Sequence, residues 1–188
     1  MERTLVIDPS TLIIRRAAAV VLGALVVAGA AQVSIPLPGT PVPMTLQPMA
    51  VLLVGGLLGP QLGALSMILY LAMGAAGLPV FAPSPFLLSG VARLFGPTGG
   101  YLLSYPVAAW AVGAVARDGS RVWRVAGGVF AGMVLIHLGG LAQLLIIAGN
   151  VRSAAQLGTW PFLLGDLLKL AVLVPVLARL TPTIRARL

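Results

Sequence analysis

Asp166 and Lys169 are the two residues of this sequence whose types and spacing could most clearly do chemistry. They stand three positions apart within a long apolar run, and Lys169 is the only lysine of the chain. This spacing places both side chains on one face of a helix. Each charge would cost roughly 2.5–3.5 kcal/mol to insert at the middle of a membrane, and pairing offsets part of that cost. A structural ion pair is one interpretation, but we favour a polar binding site on a substrate or ion path.

The composition indicates that the chain is surrounded by lipid rather than by water. Of its 188 residues, 59 % are hydrophobic and only 9 % are charged, whereas a soluble domain is about 25 % charged. This balance, with no cysteine, excludes a water-soluble enzyme, a disordered tail and a disulfide scaffold. The net charge of +8 could indicate nucleic acid. The arginines, however, stand at the ends of apolar runs, which is typical of residues that flank membrane-spanning segments. We therefore predict that residues 1–188 form a single transmembrane domain.

The sequence predicts an all-α integral membrane protein with six transmembrane helices. A spanning helix needs roughly 17–25 mostly apolar residues. The predicted segments are residues 13–31, 46–58, 61–76, 99–116, 122–148 and 160–180. The second and third are short and meet at a Gly-Pro break, so a broken helix or a re-entrant hairpin is the alternative there. The first also has features of a cleaved signal peptide, which we consider the weaker interpretation.

The basic residues orient these segments. With the N-terminus inside, the inner side carries nine arginines and the outer side two, Arg93 and Arg152, in agreement with the positive-inside rule. The inner residues are Arg3, Arg15, Arg16, Arg117, Arg121, Arg124, Arg179, Arg185 and Arg187. We therefore expect both termini to be cytoplasmic in a multi-pass protein of the cytoplasmic (inner) membrane.

Two long linkers are predicted to lie on the outer side, where Asp166 also lies. Residues 32–47 contain four prolines between positions 36 and 43, which predicts an extended, stiff and apolar loop. Residues 77–97 lead into the turn 96–101, Gly-Pro-Thr-Gly-Gly-Tyr, whose glycines permit close backbone approach and positive φ. The turn is either a helix entry with Thr98 as the N-cap or the wall of a binding pocket.

Together these features predict a cavity that opens outward. Asp166 can accept N–H donors, and Lys169 or Arg93 can bind a carbonyl or carboxylate group. The apolar wall is predicted to come from Met44, Phe81, Phe95, Tyr101 and Trp160. Such a site would suit a small organic anion with a polar ring and an aliphatic stem, with the proline-rich loop as its lid.

The order of these motifs resembles the BioY family, the biotin-binding S components of energy-coupling factor (ECF) transporters. The resemblance rests on residues 32–47, on Gly-Leu-Pro-Val-Phe at 77–81, on the turn 96–101 and on Asp166 with Lys169. It covers nearly the whole chain. It implies a six-helix S-component-like bundle that binds biotin from the outside with high affinity.

The resemblance also implies site residues and partners. Asp166 and Lys169 would be polar ligands of biotin, which is a transported ligand rather than a cofactor. The other substrate-binding residues that it implies are Thr45, Gln47, Phe81, Arg93 and Tyr101. The implied partners are a transmembrane coupling subunit and a pair of ABC ATPases. The spacing Ala24-x-x-x-Ala28 fits docking on the coupling subunit, although small residues at this spacing also serve internal helix packing.

Other functions remain open at this point. The nucleotide-binding motif G-x-x-x-x-G-K-[ST] is missing, so ATP hydrolysis would have to come from partners. One histidine and no cysteine make a metal site improbable. A stand-alone solute transporter is one alternative, and an assembly subunit, which would not need Asp166 and Lys169, is another. An intramembrane hydrolase using Ser89 and His137 is less favoured, because an interhelical hydrogen bond explains His137 more simply.

Overall fold

The computed structural model describes residues 9–84, 88–186 and 188 of the chain. It is a helical bundle with one small hairpin and one 3₁₀ helix. The elements in chain order are α1 (Pro9–Gln32), β1 (Ser34–Ile35), β2 (Met44–Thr45), α2 (Gln47–Leu58), α3 (Pro60–Ala75), the 3₁₀ helix (Gly90–Phe95), α4 (Gly99–Ala116), α5 (Val122–Ala148), α6 (Val151–Gly158) and α7 (Leu163–Arg185). The predicted Arg3 and Arg187 lie outside the described residues.

The six predicted segments correspond closely to α1–α5 and α7, but the chain also forms a short helix before α7 that was not predicted. The chain first forms α6, a short helix with Asn150 as its N-cap, whose side chain accepts a 2.8 Å hydrogen bond from the Ser153 N–H. It then bends by 52° and enters α7 at Leu163. Pro161 lies in this bend, and a proline disfavours helical backbone in the residue before it.

The helices differ in their ability to cross a membrane. By length and composition, three described helices qualify: Ser10–Gln32, Gly99–Ala116 and Val122–Ala148. A fourth span results if the bent pair α6 and α7 counts as one. Helices α2 and α3 are apolar but have 12 and 16 residues, shorter than a helix that spans the hydrocarbon core alone. The six-span count and the cytoplasmic termini stay predictions.

Small residues let the central helices approach closely. A Cβ at Gly55 of α2 would overlap the backbone of Ala109 in α4. Between α4 and α5, Gly100 and Gly139 meet backbone to backbone, and a Cβ on either would overlap the other's carbonyl oxygen. Packing through small residues is the usual way in which membrane helices associate. It brings the start of α4 against the middle of α5, where the cavity lies.

The proline-rich segment forms a hairpin rather than one continuously extended loop. Its ends, β1 and β2, pair antiparallel, with Ser34 opposite Thr45 and Ile35 opposite Met44. Between them the chain reverses at a turn that contains Gly39, whose φ is +81°. The prolines therefore stiffen the arms, and a glycine in the left-handed region supplies the reversal.

The two ends of the bundle differ in character. The hairpin, the 3₁₀ helix, α6 and the first turns of α4 and α7 gather at one end. At the other end Arg185 donates to carbonyl groups of α2 and α4, and Arg16 Nε donates to the Leu188 carbonyl at 3.0 Å. The beginning of α1 and the end of α7 therefore lie at the opposite end from the predicted outer loops.

Candidate functional site

One cavity at the hairpin end brings together every residue that the sequence predicted for substrate binding. Its lining includes Thr45, Gln47, Phe81, Arg93, Tyr101, Asp166 and Lys169. Val42 and Thr98 also line it, and they belong to the predicted lid and to the predicted turn. Sequence reasoning missed several further lining residues, among them Tyr105, Ile136, His137 and Phe162. Tyr105 lies one helical turn after Tyr101, a spacing that could have identified it.

Asp166 is the polar centre of the cavity. It lies in the first turn of α7, and its side chain is only 8 % exposed. Lys169 Nζ donates to Asp166 Oδ1 at 2.9 Å, as the spacing of the two residues along one helix predicted. His137 Nε2 lies 2.8 Å from the other oxygen, Oδ2. The carboxylate is therefore bound by two donors, one from its own helix and one from α5.

His137 makes the interhelical hydrogen bond that the sequence favoured for it, but its partner is the site carboxylate. Its side chain is 16 % exposed and lines the cavity. The ring packs edge-on against Tyr101, with centroids 6.4 Å apart. Among the described residues, nothing hydrogen-bonds its second nitrogen, Nδ1, which is buried.

Tyr101 is fixed by two glycines and one hydrogen bond. A Cβ at Gly140 of α5 would overlap its ring, and a Cβ at Gly158 of α6 would overlap its hydroxyl group. That hydroxyl donates to the Gly158 carbonyl. The wall of the cavity thus depends on glycine at both positions, and Tyr101 ties α4 to the end of α6.

Thr45 and Gln47 form a polar corner where the hairpin enters α2. The Thr45 hydroxyl accepts from the Gln47 N–H at 3.2 Å and donates to Gln47 Oε1 at 3.3 Å. The Gln47 side chain in turn donates to the hydroxyl of Tyr70, which donates to the Val80 carbonyl at 3.1 Å. This chain of hydrogen bonds joins the first outer linker to the second.

Arg93 lies in the 3₁₀ helix and is 5 % exposed. Its guanidinium donates to the Ala82 carbonyl at 2.7 Å, to Thr98 Oγ1 at 3.0 Å and to the Leu88 carbonyl at 3.4 Å. Burial lowers the pKa of this guanidinium from its ordinary value, which is so high that the group keeps its charge at neutral pH. Arg93 thus organises the second linker, and two of its five N–H groups meet no acceptor among the residues that the structure describes.

The turn 96–101 is both the entry to α4 and part of the cavity wall, because Thr98 and Tyr101 line the cavity. Thr98 stands at the start of α4, but its hydroxyl makes no capping bond and accepts from Arg93 instead. The glycines of this turn are not among the positive-φ residues. They allow close approach: a Cβ at Gly99 would overlap the Leu94 carbonyl.

The apolar wall differs in part from the prediction. Phe81 packs over Gly74, where a Cβ would overlap its ring, and it lines the cavity as predicted. Phe95 and Trp160 were wrongly placed in the wall, because they are 77 % and 66 % exposed. Met44 does not line the cavity either, and its thioether packs on Gly165 beside Asp166. Aromatic side chains at a membrane surface often face the interface, and sequence alone does not distinguish them from cavity walls.

The hairpin covers this site. Val42 and Pro43 line the cavity from above. The Thr40 hydroxyl accepts from the Val42 N–H at 3.1 Å and donates to the Leu157 carbonyl at the end of α6. The segment that the sequence predicted as a lid is thus fastened to the short helix that the sequence did not predict.

The arrangement is suited to a small organic anion with polar N–H groups. Among the lining residues that the structure describes, Arg93 and Lys169 are cationic and Asp166 is anionic, which gives a formal charge of +1 with a neutral histidine. One carboxylate can accept N–H donors, and the walls are aromatic and aliphatic. In the described part of the chain no three acidic, histidine or cysteine side chains group in a way that could hold a metal ion.

Comparison with known proteins identifies relatives along almost the whole chain. Residues 2–186 match the family model described as the BioY family. The protein named biotin transporter BioY of Thermotoga maritima is 40 % identical over 158 residues, which is 84 % of this chain and 89 % of that protein. The probable biotin transporter BioY of Pyrococcus horikoshii is 39 % identical over 140 residues, 74 % of this chain and 81 % of that protein.

The fold is also similar to that of a solved structure. The crystal structure of the S-component for biotin from an ECF-type ABC transporter superposes with a TM-score of 0.82 and 22 % identity. The match covers 93 % of this chain and 94 % of that one. The predicted fold class, an all-helical membrane protein with the S-component bundle, is confirmed.

Proposed function

The chain belongs to the BioY family, and from this premise and the cavity we propose that it binds biotin and mediates its uptake across the cytoplasmic membrane. It is a multi-pass membrane protein and a transport protein rather than an enzyme. It acts as the substrate-specific S component of an ECF transporter. A transmembrane coupling subunit and ABC ATPases are its partners, and biotin is the cargo.

The observation that carries this proposal is the doubly bound carboxylate of Asp166 within a cavity of net positive charge. Biotin presents ring N–H donors and a ring carbonyl at one end and a carboxylate at the other. Asp166 provides the acceptor for an N–H group, and Lys169 and Arg93 provide donors. The net charge of the cavity matches a monoanion, and Phe81, Tyr101 and the lid supply the apolar surroundings of the stem.

The geometry gives no support to the hydrolase alternative. A serine nucleophile needs a base within hydrogen-bond reach. Ser89 is not one of the described residues that line the cavity, and the ring of His137 is bound to Asp166. Transport by this chain alone is a second possibility, and it differs in one respect: uptake would continue in cells without the coupling subunit and its ATPases.

Replacing Asp166 or Lys169 tests the proposal directly. Asp166→Asn and Lys169→Met should each weaken biotin binding about 10- to 150-fold, the equivalent of about 1.5–3 kcal/mol for a hydrogen bond to a charged group. The measurement is a titration of the purified protein in detergent with biotin. Both variants should still purify as folded, monodisperse protein.

Asp118→Asn is the matched control, because Asp118 is an exposed loop acid that bonds Ser120 and lies outside the cavity. Its affinity for biotin should equal that of the unmodified protein. Unchanged affinity in both site variants would refute the assignment of the site. A protein that binds no biotin at all would refute the proposed function.

A further inference from the structure

His137 has no part so far in the proposed function, although it touches the central carboxylate of the site. Its Nε2 atom lies 2.8 Å from Asp166 Oδ2, well within hydrogen-bond distance. It is the only histidine of the chain, and it stands on α5, 29 positions before Asp166.

The two donors to Asp166 do different work. Lys169 belongs to the same helix as Asp166, so it can neutralise the carboxylate without fixing it relative to the other helices. His137 belongs to α5, and its ring packs edge-on against Tyr101 of α4. His137 therefore fixes the position of the Asp166 carboxylate relative to α4 and α5, which form the opposite wall of the cavity.

The chemistry of the contact fixes where the ring proton lies. A carboxylate paired with an ammonium group can only accept, so Nε2 of His137 must carry the hydrogen. The other nitrogen, Nδ1, is buried and meets no hydrogen-bond partner in the described part of the chain. The contact with Asp166 is thus the hydrogen bond that sets the orientation of this ring.

We propose that His137 is a positioning residue for ligand recognition: it holds the Asp166 carboxylate so that its remaining lone pairs face the cavity and accept a ring N–H of the ligand. This inference rests on the proposed function and adds to it a specificity-determining residue. A carboxylate offers about four acceptor sites. Lys169 and His137 use one each, and the ligand takes another. Without His137 the carboxylate can turn towards Lys169 and away from the ligand.

A double-mutant cycle distinguishes positioning from simple structural support. His137→Phe keeps a ring that can pack on Tyr101 but removes the donor, and it should weaken biotin binding about tenfold. His137→Gln, whose amide can place an N–H near the position of Nε2, should restore most of the loss. In an Asp166→Asn background, His137→Phe should change the affinity less than twofold, because its effect passes through Asp166.

Gln143→Leu is the matched control on the same helix. Gln143 also makes a hydrogen bond outside α5, to the Phe95 carbonyl at 3.0 Å, but it does not line the cavity. Its replacement should leave biotin affinity unchanged. The inference is overturned if His137→Phe binds biotin as tightly as the unmodified protein, or if its loss is equally large in the Asp166→Asn background.

A spectroscopic measurement tests the hydrogen bond on which the proposal depends even if His137→Phe does not fold. In ¹⁵N-labelled protein without an affinity tag, the ring signals come from one histidine, so they need no assignment. The proton should be found on Nε2 in the protein without ligand, and a neutral ring protonated on Nδ1 would overturn the proposal. Because this measurement needs no biotin, its failure is distinguishable from a failure of the proposed function, which would appear as absent binding by the unmodified protein.

Discussion

At the scale of single residues, Arg93 has a different main role from the one that its charge indicated. The sequence offered it as a cation for the ligand, but three of its N–H groups bind acceptors in the second linker and at the start of α4. A planar guanidinium can reach three acceptors in fixed directions, whereas an ammonium is a point charge on a flexible stem. The shape of this side chain therefore matters as much as its charge.

Arg93→Lys tests that distinction. Lysine keeps the charge but leaves some of the buried acceptors without a donor, at a cost of about 1–3 kcal/mol. We expect a lower thermal unfolding midpoint in the absence of biotin, together with weaker biotin binding. Arg152→Lys is the control, because Arg152 is an exposed arginine at the same end of the bundle. An unchanged unfolding midpoint in Arg93→Lys would show that the stability of the second linker does not depend on the planar guanidinium.

The site shows which residue-level features a sequence can predict. Asp166 and Lys169 were predictable as a pair because helix geometry fixes side-chain neighbours three positions apart. Their contact with His137 was not predictable, because a pairing between helices depends on the rotation and depth of each helix. Phe81, Arg93 and Tyr101 were predicted from their residue types and their place in the outer linkers, and the resemblance to a family added Thr45 and Gln47. Their hydrogen-bond partners carry no sequence signal, because several are backbone carbonyl groups and the others depend on how the linkers fold.

At the scale of elements, α6 connects the lid to the cavity wall. Its last two residues, Leu157 and Gly158, have carbonyl groups that no longer have helical partners. Thr40 of the hairpin donates to the first, and Tyr101 of α4 donates to the second. Adjacent carbonyls of one short helix thus bind the lid and a lining residue. A disturbance of this helix end should affect how long the ligand stays.

Thr40→Val should therefore speed the release of biotin. The change keeps the shape of the side chain but removes both hydrogen bonds of the hydroxyl, the one within the hairpin and the one to α6. The bond to α6 is the one that fastens the lid, and its loss, about 1 kcal/mol, corresponds to about a fivefold higher dissociation rate. The association rate should change less, since affinity differences between variants of one site lie mostly in dissociation. Stopped-flow measurement of both rates checks this.

Thr159→Val is the control for Thr40→Val, because Thr159 lies at the end of the same helix and does not line the cavity. Its two rates should stay as in the unmodified protein. If Thr40→Val changed the association rate alone, the hairpin would be an entrance to the cavity and not a lid.

The elements differ in how well the sequence predicted them. Helices α1–α5 were predictable because long apolar runs, a Gly-Pro break and clusters of arginine mark their ends. Helix α6 was missed because it has only eight residues and they are mixed in polarity. The only sequence signal for the bend after it is one proline. The reversal inside the proline-rich segment was also missed, since the prolines indicated stiffness and the turn depends on the single residue Gly39.

At the scale of the whole molecule, the two ends of the bundle are built differently. The cavity end is made of linkers and first turns that meet through side-chain hydrogen bonds. The opposite end is joined by Arg185 of α7, which donates twice to the Gly56 carbonyl of α2, at 2.7 and 3.1 Å, and once to the Gly113 carbonyl of α4, at 3.1 Å. Three helices that also surround the cavity are thus tied together far from it.

The sequence explains why these carbonyl groups need a donor. The helical partner of Gly56 would be the N–H of residue 60, which is a proline and has none. The helical partner of Gly113 would be the N–H of Arg117, where α4 has ended and φ is +50°. A cation at a helix C-terminus is favoured by the dipole of the helix as well. Arg185 serves two such termini at once.

Arg185→Met should therefore destabilise the bundle without altering the site. Two buried carbonyl groups lose their donor, which we expect to cost about 2 kcal/mol and to lower the thermal unfolding midpoint by about 4–8 °C. The folded fraction should bind biotin within twofold of the unmodified protein, because the cavity lies at the opposite end. Arg179→Met, an exposed arginine of the same helix, should change neither property. If Arg185→Met instead weakened binding and left the midpoint unchanged, this arginine would control the conformation of the cavity rather than the stability of the bundle.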